Sequence, residues 1–164
     1  MISTEFRIHH IGLIVHDIEQ ALDFYRSTCG YEEMPRESLA QFNAEIAFLL
    51  PKSPTGCDRE KTPLNNAPLN NTNLTAIELL QPLKQEGALW KFLEKRGEGL
   101  HHIGYEVADI TREHARLSAA GLHFIDEKPR PGAHGSTVAF IHPKSCHGVL
   151  TELVQPARRQ HKSV

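Results

Sequence analysis

Residues 9–18 (HHIGLIVHDI) return as residues 101–110 (HHIGYEVADI), and seven of the ten positions are identical at an offset of 92 residues. Self-similarity at a fixed offset is typical of a chain that contains the same structural unit twice. The apolar run before Asp17 predicts a strand over residues 7–15, and Asp17 followed three residues later by Gln20 is a signal for a helix N-terminus. Each copy therefore begins with a strand that leads into a helix.

Two further matches extend the duplication toward the end of each copy. The segment IAFLLP at residues 46–51 returns as VAFIHP at 138–143 with the same offset, and ELLQP at 78–82 returns as ELVQP at 152–156 with an offset of 74 residues. The difference between the offsets is an insertion of 18 residues in the first copy, within residues 52–73. Its proline and asparagine content predicts a loop, either a disordered surface segment or a lid over a site.

The remaining pattern predicts an α+β fold made of two βαβββ modules in tandem. The modules span about residues 6–83 and 98–156 of a single domain, and a helix over about 85–96 links them. Residues 109–120 predict the helix of the second module, in which we expect His114 to lie on the surface. Further strands are predicted at residues 45–50, 74–81, 137–142 and 149–154.

Composition excludes several classes of protein. The 164 residues contain 18 Lys and Arg against 20 Asp and Glu, so the formal net charge of −2 does not favour nucleic-acid binding. No apolar run is long enough to span a membrane, so we expect no membrane partner. The cysteines, Cys29, Cys57 and Cys146, form no CxxC motif and cannot all pair, which favours a reducing compartment. We therefore expect a cytoplasmic protein.

Two histidines and two glutamates recur at equivalent positions of the copies. Side chains alternate across a strand, so His10 shares a face with Gly12 and His102 shares a face with Gly104, where the glycines leave room. The duplicated glutamates, Glu78 and Glu152, share their faces with apolar residues. A buried carboxylate is costly unless it is paired or binds a metal, so a metal explains the pattern most simply.

Duplication would bring these side chains toward a common axis and predicts one site with four ligands, His10, Glu78, His102 and Glu152. Imidazole and carboxylate ligands suit Zn, Co, Ni, Mn or Fe, and four protein ligands leave two exchangeable positions on a six-coordinate ion. His9 and His101 are also duplicated, so alternation alone does not decide which member of each pair binds metal. The other histidines are expected at structural or surface positions: His16, His123, His134, His142, His147 and His161.

These features resemble the vicinal oxygen chelate superfamily, which includes glyoxalase I, extradiol dioxygenases, fosfomycin-resistance proteins and the methylmalonyl-CoA epimerases. The resemblance is strongest to the epimerase family. It rests on blocks at residues 10–12, 78–83, 91–103, 126–135, 142–145 and 148–153, which together span most of the chain outside the insertion.

The resemblance implies a curved, barrel-like mixed sheet around one divalent ion (Co, Ni, Zn or Mn), with the same four ligands as above. It also implies a homodimer that inverts the α-carbon of an acyl-CoA substrate by removing and returning a proton. Two bases are then needed. An acid/base carboxylate of some epimerases falls on Glu45, and we assign the other face of the substrate to Glu152, which is also a predicted ligand. No organic cofactor is implied.

Two other functions remain compatible with the sequence. One is a glyoxalase-like lactoylglutathione lyase or isomerase, which uses related proton-transfer chemistry on a thiohemiacetal. The other is a non-catalytic protein of the same fold that binds a small molecule in the duplicated cleft.

Overall fold

The computed structural model describes residues 6–52 and 75–157. The predicted insertion at residues 52–73 lies outside the described residues from residue 53 onward, as do Cys57 and His161. Two compact units are present. The first spans Ile8–Gly104, and the second contains the described residues from Tyr105 onward together with Phe6 and Arg7. The module bounds at about 6–83 and 98–156 stay a prediction of the sequence.

The first unit contains a mixed sheet and two helices. It contains all or most of each of these elements: β1 (Arg7–Ile14), α1 (Ile18–Ser27), β2 (Tyr31–Glu33), β3 (Glu37–Leu39), β4 (Ala44–Pro51), β5 (Ala76–Pro82), α2 (Gly87–Arg96) and β6 (Gly99–Glu106). The strand order is β2-β4-β5-β1-β6, and β3 also pairs with β4. β1 and β5 run parallel, whereas β4 runs antiparallel to β2, β3 and β5.

The helix α1 begins where the sequence predicts it. The Asp17 carboxylate accepts hydrogen bonds from the backbone N–H groups of Glu19 and Gln20, which a helix N-terminus otherwise leaves without a partner. One face of α1 buries Ile18 and Leu22 against one face of the sheet, in a core shared with Val15, Ala47, Leu49 and Leu79. This packing leaves the opposite face of the sheet for other contacts.

The second unit repeats the same construction. Its elements are α3 (Ile110–Ala119), β7 (Arg130–Pro131), β8 (Thr137–Ile141) and β9 (Leu150–Gln155), and β8 pairs antiparallel with both β7 and β9. The Asp109 carboxylate accepts a hydrogen bond from the Arg112 N–H at the start of α3. The core comprises Val107, Ile110, Leu117, Ala139, Ile141 and Leu153.

Matching contacts within each unit reveal the duplication. The Ile18 N–H donates to Gln81 Oε1 at 2.8 Å in the first unit, and the Ile110 N–H donates to Gln155 Oε1 at 2.9 Å in the second. The ELxQP motif therefore places a glutamine where it satisfies the first N–H of a helix in both units. The observed fold class is α+β, as predicted.

Two details differ from the sequence-based expectation. The strands β2, β3 and β7 are two or three residues long, too short to give a periodic pattern. His114 was expected on the helix surface, but it is half-buried: its ring lies 4.1 Å from the ring of Phe124, and its Nε2 lies 3.0 Å from the Asp126 carbonyl oxygen. Within the described residues, no helix is both long and apolar enough to cross a membrane.

Candidate metal centre

Three neighbouring strands of the first unit bring two histidines and a glutamate together on one face of the sheet. In the parallel register of β1 and β5, Gly12 lies opposite Glu78. His10 lies two residues before Gly12 on the same face of β1, and His102 lies on β6, the neighbour of β1. We refer to His10, Glu78 and His102 as the ligand triad.

The ligand triad is buried and its atoms are close together. Nε2 of His10 lies 2.8 Å from Nε2 of His102, and Glu78 Oε2 lies 3.3 Å and 3.1 Å from these two nitrogens. The two histidines are 2% exposed and Glu78 is 5% exposed. Among the described residues, this is the one group of three or more His, Cys, Asp or Glu side chains that is close enough to share an ion.

Glycines make this close approach possible. A Cβ atom added to Gly12 would lie 2.7 Å from His102 Nε2, and one added to Gly104 would lie 2.7 Å from His10 Nδ1. Both separations are shorter than any normal van der Waals contact. Each glycine therefore makes room for a histidine ring, as the sequence predicts, but the ring belongs to the histidine of the other repeat.

Electrostatics keep Glu78 ionised. Burial alone would raise the pKa of its carboxyl group, but the charge and hydrogen bonds of His10 and His102 hold that pKa well below its ordinary value. An ionised carboxylate and two imidazoles are the donor set that divalent Zn, Co, Ni or Mn accepts. Two donors that bind one ion at about 2.1 Å, at right angles to each other, lie about 3 Å apart. The observed separations in the ligand triad match this value, so the residues present fit a divalent ion.

Glu152, the predicted fourth ligand, belongs to the second unit. It is 6% exposed on β9 and lies opposite Phe140 of β8. Glu78 lies opposite Phe48 of β4 in the same way in the first unit. Each copy therefore presents a buried glutamate beside a phenylalanine, and the role of Glu152 as the fourth ligand stays a prediction.

Glu45, the predicted second base, is not brought to the ligand triad. In the antiparallel register of β4 and β5, Phe48 lies opposite Glu78 and shares its face. Glu45 is three residues away from Phe48, so alternation places it on the other face with Ala47, which packs in the core beneath α1. Its Oε1 lies 3.8 Å from an Nη1 atom of Arg36. Its catalytic role remains a prediction, and the strand register argues against it.

Atom positions distinguish the two members of each His-His pair. The Nε2 atoms of His10 and His102 belong to the ligand triad, while their Nδ1 atoms lie 2.8 Å and 2.9 Å from the Nδ1 atoms of His9 and His101. The sequence signal for these neighbours is the repeated His-His pair, but strand alternation alone leaves open which member of each pair binds metal. Phe48 was also missed: its ring packs against that of His10 at 5.3 Å.

Comparison with known proteins identifies the family. The model of the Glyoxalase/Bleomycin resistance protein/Dioxygenase superfamily matches residues 9–140. The chain is 35% identical over 151 residues to the ethylmalonyl-CoA/methylmalonyl-CoA epimerase of Cereibacter sphaeroides, a match that covers 91% of this chain and 97% of the relative. It is 31% identical over 150 residues to the mitochondrial methylmalonyl-CoA epimerase of Homo sapiens, covering 91% and 73% respectively.

A solved structure supports the same relationship. A variant of the Streptomyces coelicolor methylmalonyl-CoA epimerase, in complex with 2-nitronate-propionyl-CoA, superposes with a TM-score of 0.78 at 34% identity, covering 93% of this chain and 98% of that one. The repeated motifs, the α+β fold and the buried ligand triad agree with these matches. The chain belongs to the Glyoxalase/Bleomycin resistance protein/Dioxygenase superfamily and, within it, to the methylmalonyl-CoA epimerase family.

Proposed function

We propose that this protein is a metal-dependent epimerase that inverts the α-carbon of methylmalonyl-CoA or a related acyl-CoA. The observation that carries the proposal is the ligand triad, because its donor set and spacing suit a divalent ion in a family whose named relatives act on this substrate. One relative is named for both ethylmalonyl-CoA and methylmalonyl-CoA, so the acyl group itself is left open.

The reaction removes the proton on the carbon between a thioester and a carboxylate, and returns it from the other face. A divalent ion in this site supplies Lewis-acid stabilisation of the negative charge that develops on the substrate oxygens. His10, Glu78 and His102 would hold the ion by Nε2, Oε2 and Nε2. Burial of these three side chains excludes water from the ligand atoms, which strengthens every electrostatic interaction there.

Proton transfer requires a base on each face of the substrate. Glu152 is the proposed fourth ligand and the proposed base on one face, because its position repeats that of Glu78. The base on the other face is not identified among the β4 side chains that share a face with Glu78. The side chains of β4 on that face are all apolar: Ala44, Ile46, Phe48 and Leu50.

The test compares two substrates. In deuterated water, proton NMR of methylmalonyl-CoA should show loss of the α-proton signal when the metal-loaded protein is added. The hemithioacetal of methylglyoxal and glutathione should be converted far more slowly. Faster turnover of the hemithioacetal would contradict the proposal and favour a glyoxalase-like isomerase. Binding of the acyl-CoA without exchange, at full metal content, would favour a non-catalytic protein.

Two further expectations come from the resemblance to the epimerases. A homodimer is expected, and sedimentation of the purified protein would measure it. A location in the cytoplasm is proposed because the three cysteines form no paired motif.

A further inference from the structure

Each histidine of the ligand triad contacts the ring of the histidine that precedes it in the sequence. Nδ1 of His9 lies 2.8 Å from Nδ1 of His10, and Nδ1 of His101 lies 2.9 Å from Nδ1 of His102. We propose that His9 and His101 are positioning residues that accept a hydrogen bond from Nδ1 of each ligand and so fix the tautomer and the ring orientation for metal binding.

The direction of these hydrogen bonds follows from proton counting. His10 and His102 would bind a metal through the lone pair of Nε2, so the single ring proton of each neutral imidazole would sit on Nδ1. That N–H then donates to the neighbouring Nδ1, which must carry no proton. His9 and His101 are consequently held as the tautomers protonated on Nε2.

Aromatic contacts hold the two positioning rings. The His9 ring is buried and lies 6.3 Å from the ring of Phe48 in an edge-on contact. The His101 ring lies 4.8 Å from the ring of Phe92 on α2. The guanidinium of Arg96 lies over the Phe92 ring, 5.2 Å from its centroid. Each acceptor is thus packed by a different element, which limits the rotation of the ring and of the ligand bonded to it.

A neutral acceptor differs from the carboxylate that often orients a metal-bound histidine. A carboxylate at either position would add a second negative charge beside Glu78 in a buried site. Histidine orients the ligand without adding charge, so the divalent ion would receive no negative charge beyond that of Glu78 and the proposed ligand Glu152.

Variants at these positions separate hydrogen bonding from packing. His9→Phe and His101→Phe keep an aromatic ring but remove the acceptor, whereas His9→Asn and His101→Asn restore an acceptor oxygen. His16→Ala is the matched control, because His16 is exposed and Ala108 occupies the equivalent position of the second copy. Zn²⁺ and Co²⁺ affinities are measured by competition with a chelator, and the visible absorption of bound Co²⁺ reports ligand geometry.

The phenylalanine variants should bind metal roughly 10–100-fold more weakly than the unmodified protein, with altered Co²⁺ absorption, and the asparagine variants should recover most of the loss. The His16→Ala variant should match the unmodified protein. Phenylalanine variants that bind within about twofold of the unmodified protein would overturn the proposal. Asparagine variants as weak as the phenylalanine variants would also overturn it, because the effect would then be packing alone.

A measurement on the unmodified protein keeps the proposal testable if a variant fails to fold. Long-range proton–nitrogen NMR correlations of the zinc-loaded protein should show protons on Nδ1 of His10 and His102 and on Nε2 of His9 and His101. A proton on Nδ1 of His9 or His101 would overturn it. The proposal rests on the metal centre of the proposed function, but its readouts are affinity and tautomer. If the unmodified protein shows the expected metal affinity and tautomers but does not turn over methylmalonyl-CoA, only the proposed epimerase activity is rejected.

Discussion

Single atoms decide how closely the ligand rings approach each other. Gly12 and Gly104 carry only hydrogen atoms on Cα. A methyl group at either position would place its carbon within 2.7 Å of an imidazole nitrogen. Neither glycine has the left-handed backbone conformation that usually explains glycine at a fixed position. Their role is therefore steric: each allows a ligand ring to lie directly over the backbone of a strand.

A Gly104→Ala substitution should lower metal affinity by roughly tenfold or more, because overpacking at a filled position costs about 1–3 kcal/mol and here displaces His10. Chelator competition measures this affinity. Ile11→Ala is the control, since Ile11 alternates onto the opposite face of β1. The control should reduce thermal stability without changing metal affinity, and unchanged affinity in Gly104→Ala would contradict the steric role.

Strand register determines which face of the sheet each side chain occupies. The sequence predicted the long strands and the helices α1 and α3, because duplication supplied each of these signals twice. It could not assign a face to Glu45. Residues 44 and 46–50 are all apolar and buried, so β4 carries no alternation from which its faces could be read. The pairing of Phe48 with Glu78 assigns Glu45 to the face of the sheet opposite the ligand triad.

For Glu45→Gln, the strand register predicts a different result from the catalytic role that the resemblance implies. A base that touches substrate would lose about 10²-fold or more in turnover on this change. From its position beside Arg36 we expect unchanged metal content and turnover within about threefold of the unmodified protein. A loss of 10²-fold in α-proton exchange, with metal retained, would show that Glu45 reaches the substrate after all.

The repeated glutamines connect the strands of the repeated glutamates to the helices. Gln81 Oε1 accepts a hydrogen bond from the backbone N–H of Ile18, a buried residue at the start of α1. A Gln81→Ala substitution should lower the free energy of unfolding by about 1 kcal/mol or more, because it leaves a buried N–H without its acceptor. Denaturant titration measures this loss. The exposed Gln85 provides the control, and equal stability of Gln81→Ala and Gln85→Ala would contradict the capping role.

Duplication is the feature that dominates the whole molecule. Both copies carry the His-His-Ile-Gly strand, the aspartate cap and the Glu-Leu-x-Gln-Pro strand. Three of the four predicted ligands form the ligand triad within the first unit. The fourth, Glu152, was predicted from its equivalence to Glu78, and its buried position opposite Phe140 repeats the local arrangement of Glu78 and Phe48.

A Glu152→Gln substitution should lower both metal affinity and turnover, because an amide oxygen is a weaker ligand for a divalent ion and a poor base. The expected loss of affinity is about tenfold or more, and turnover should fall by about 10²-fold or more even when excess metal restores occupancy. Metal analysis and α-proton exchange on the same samples measure the two effects. Full affinity and full turnover together would remove Glu152 from the site.

Metal dependence of the proposed epimerase is tested by α-proton exchange of methylmalonyl-CoA in deuterated water, measured against metal content. Metal-free protein is titrated with Co²⁺ or Zn²⁺, and His102→Ala is titrated in parallel. The proposed mechanism requires that exchange rises in proportion to bound metal, reaches its plateau at one ion per chain, and stays near the metal-free rate in His102→Ala. Exchange at the full rate without metal, or one bound ion per chain with no exchange, would contradict it.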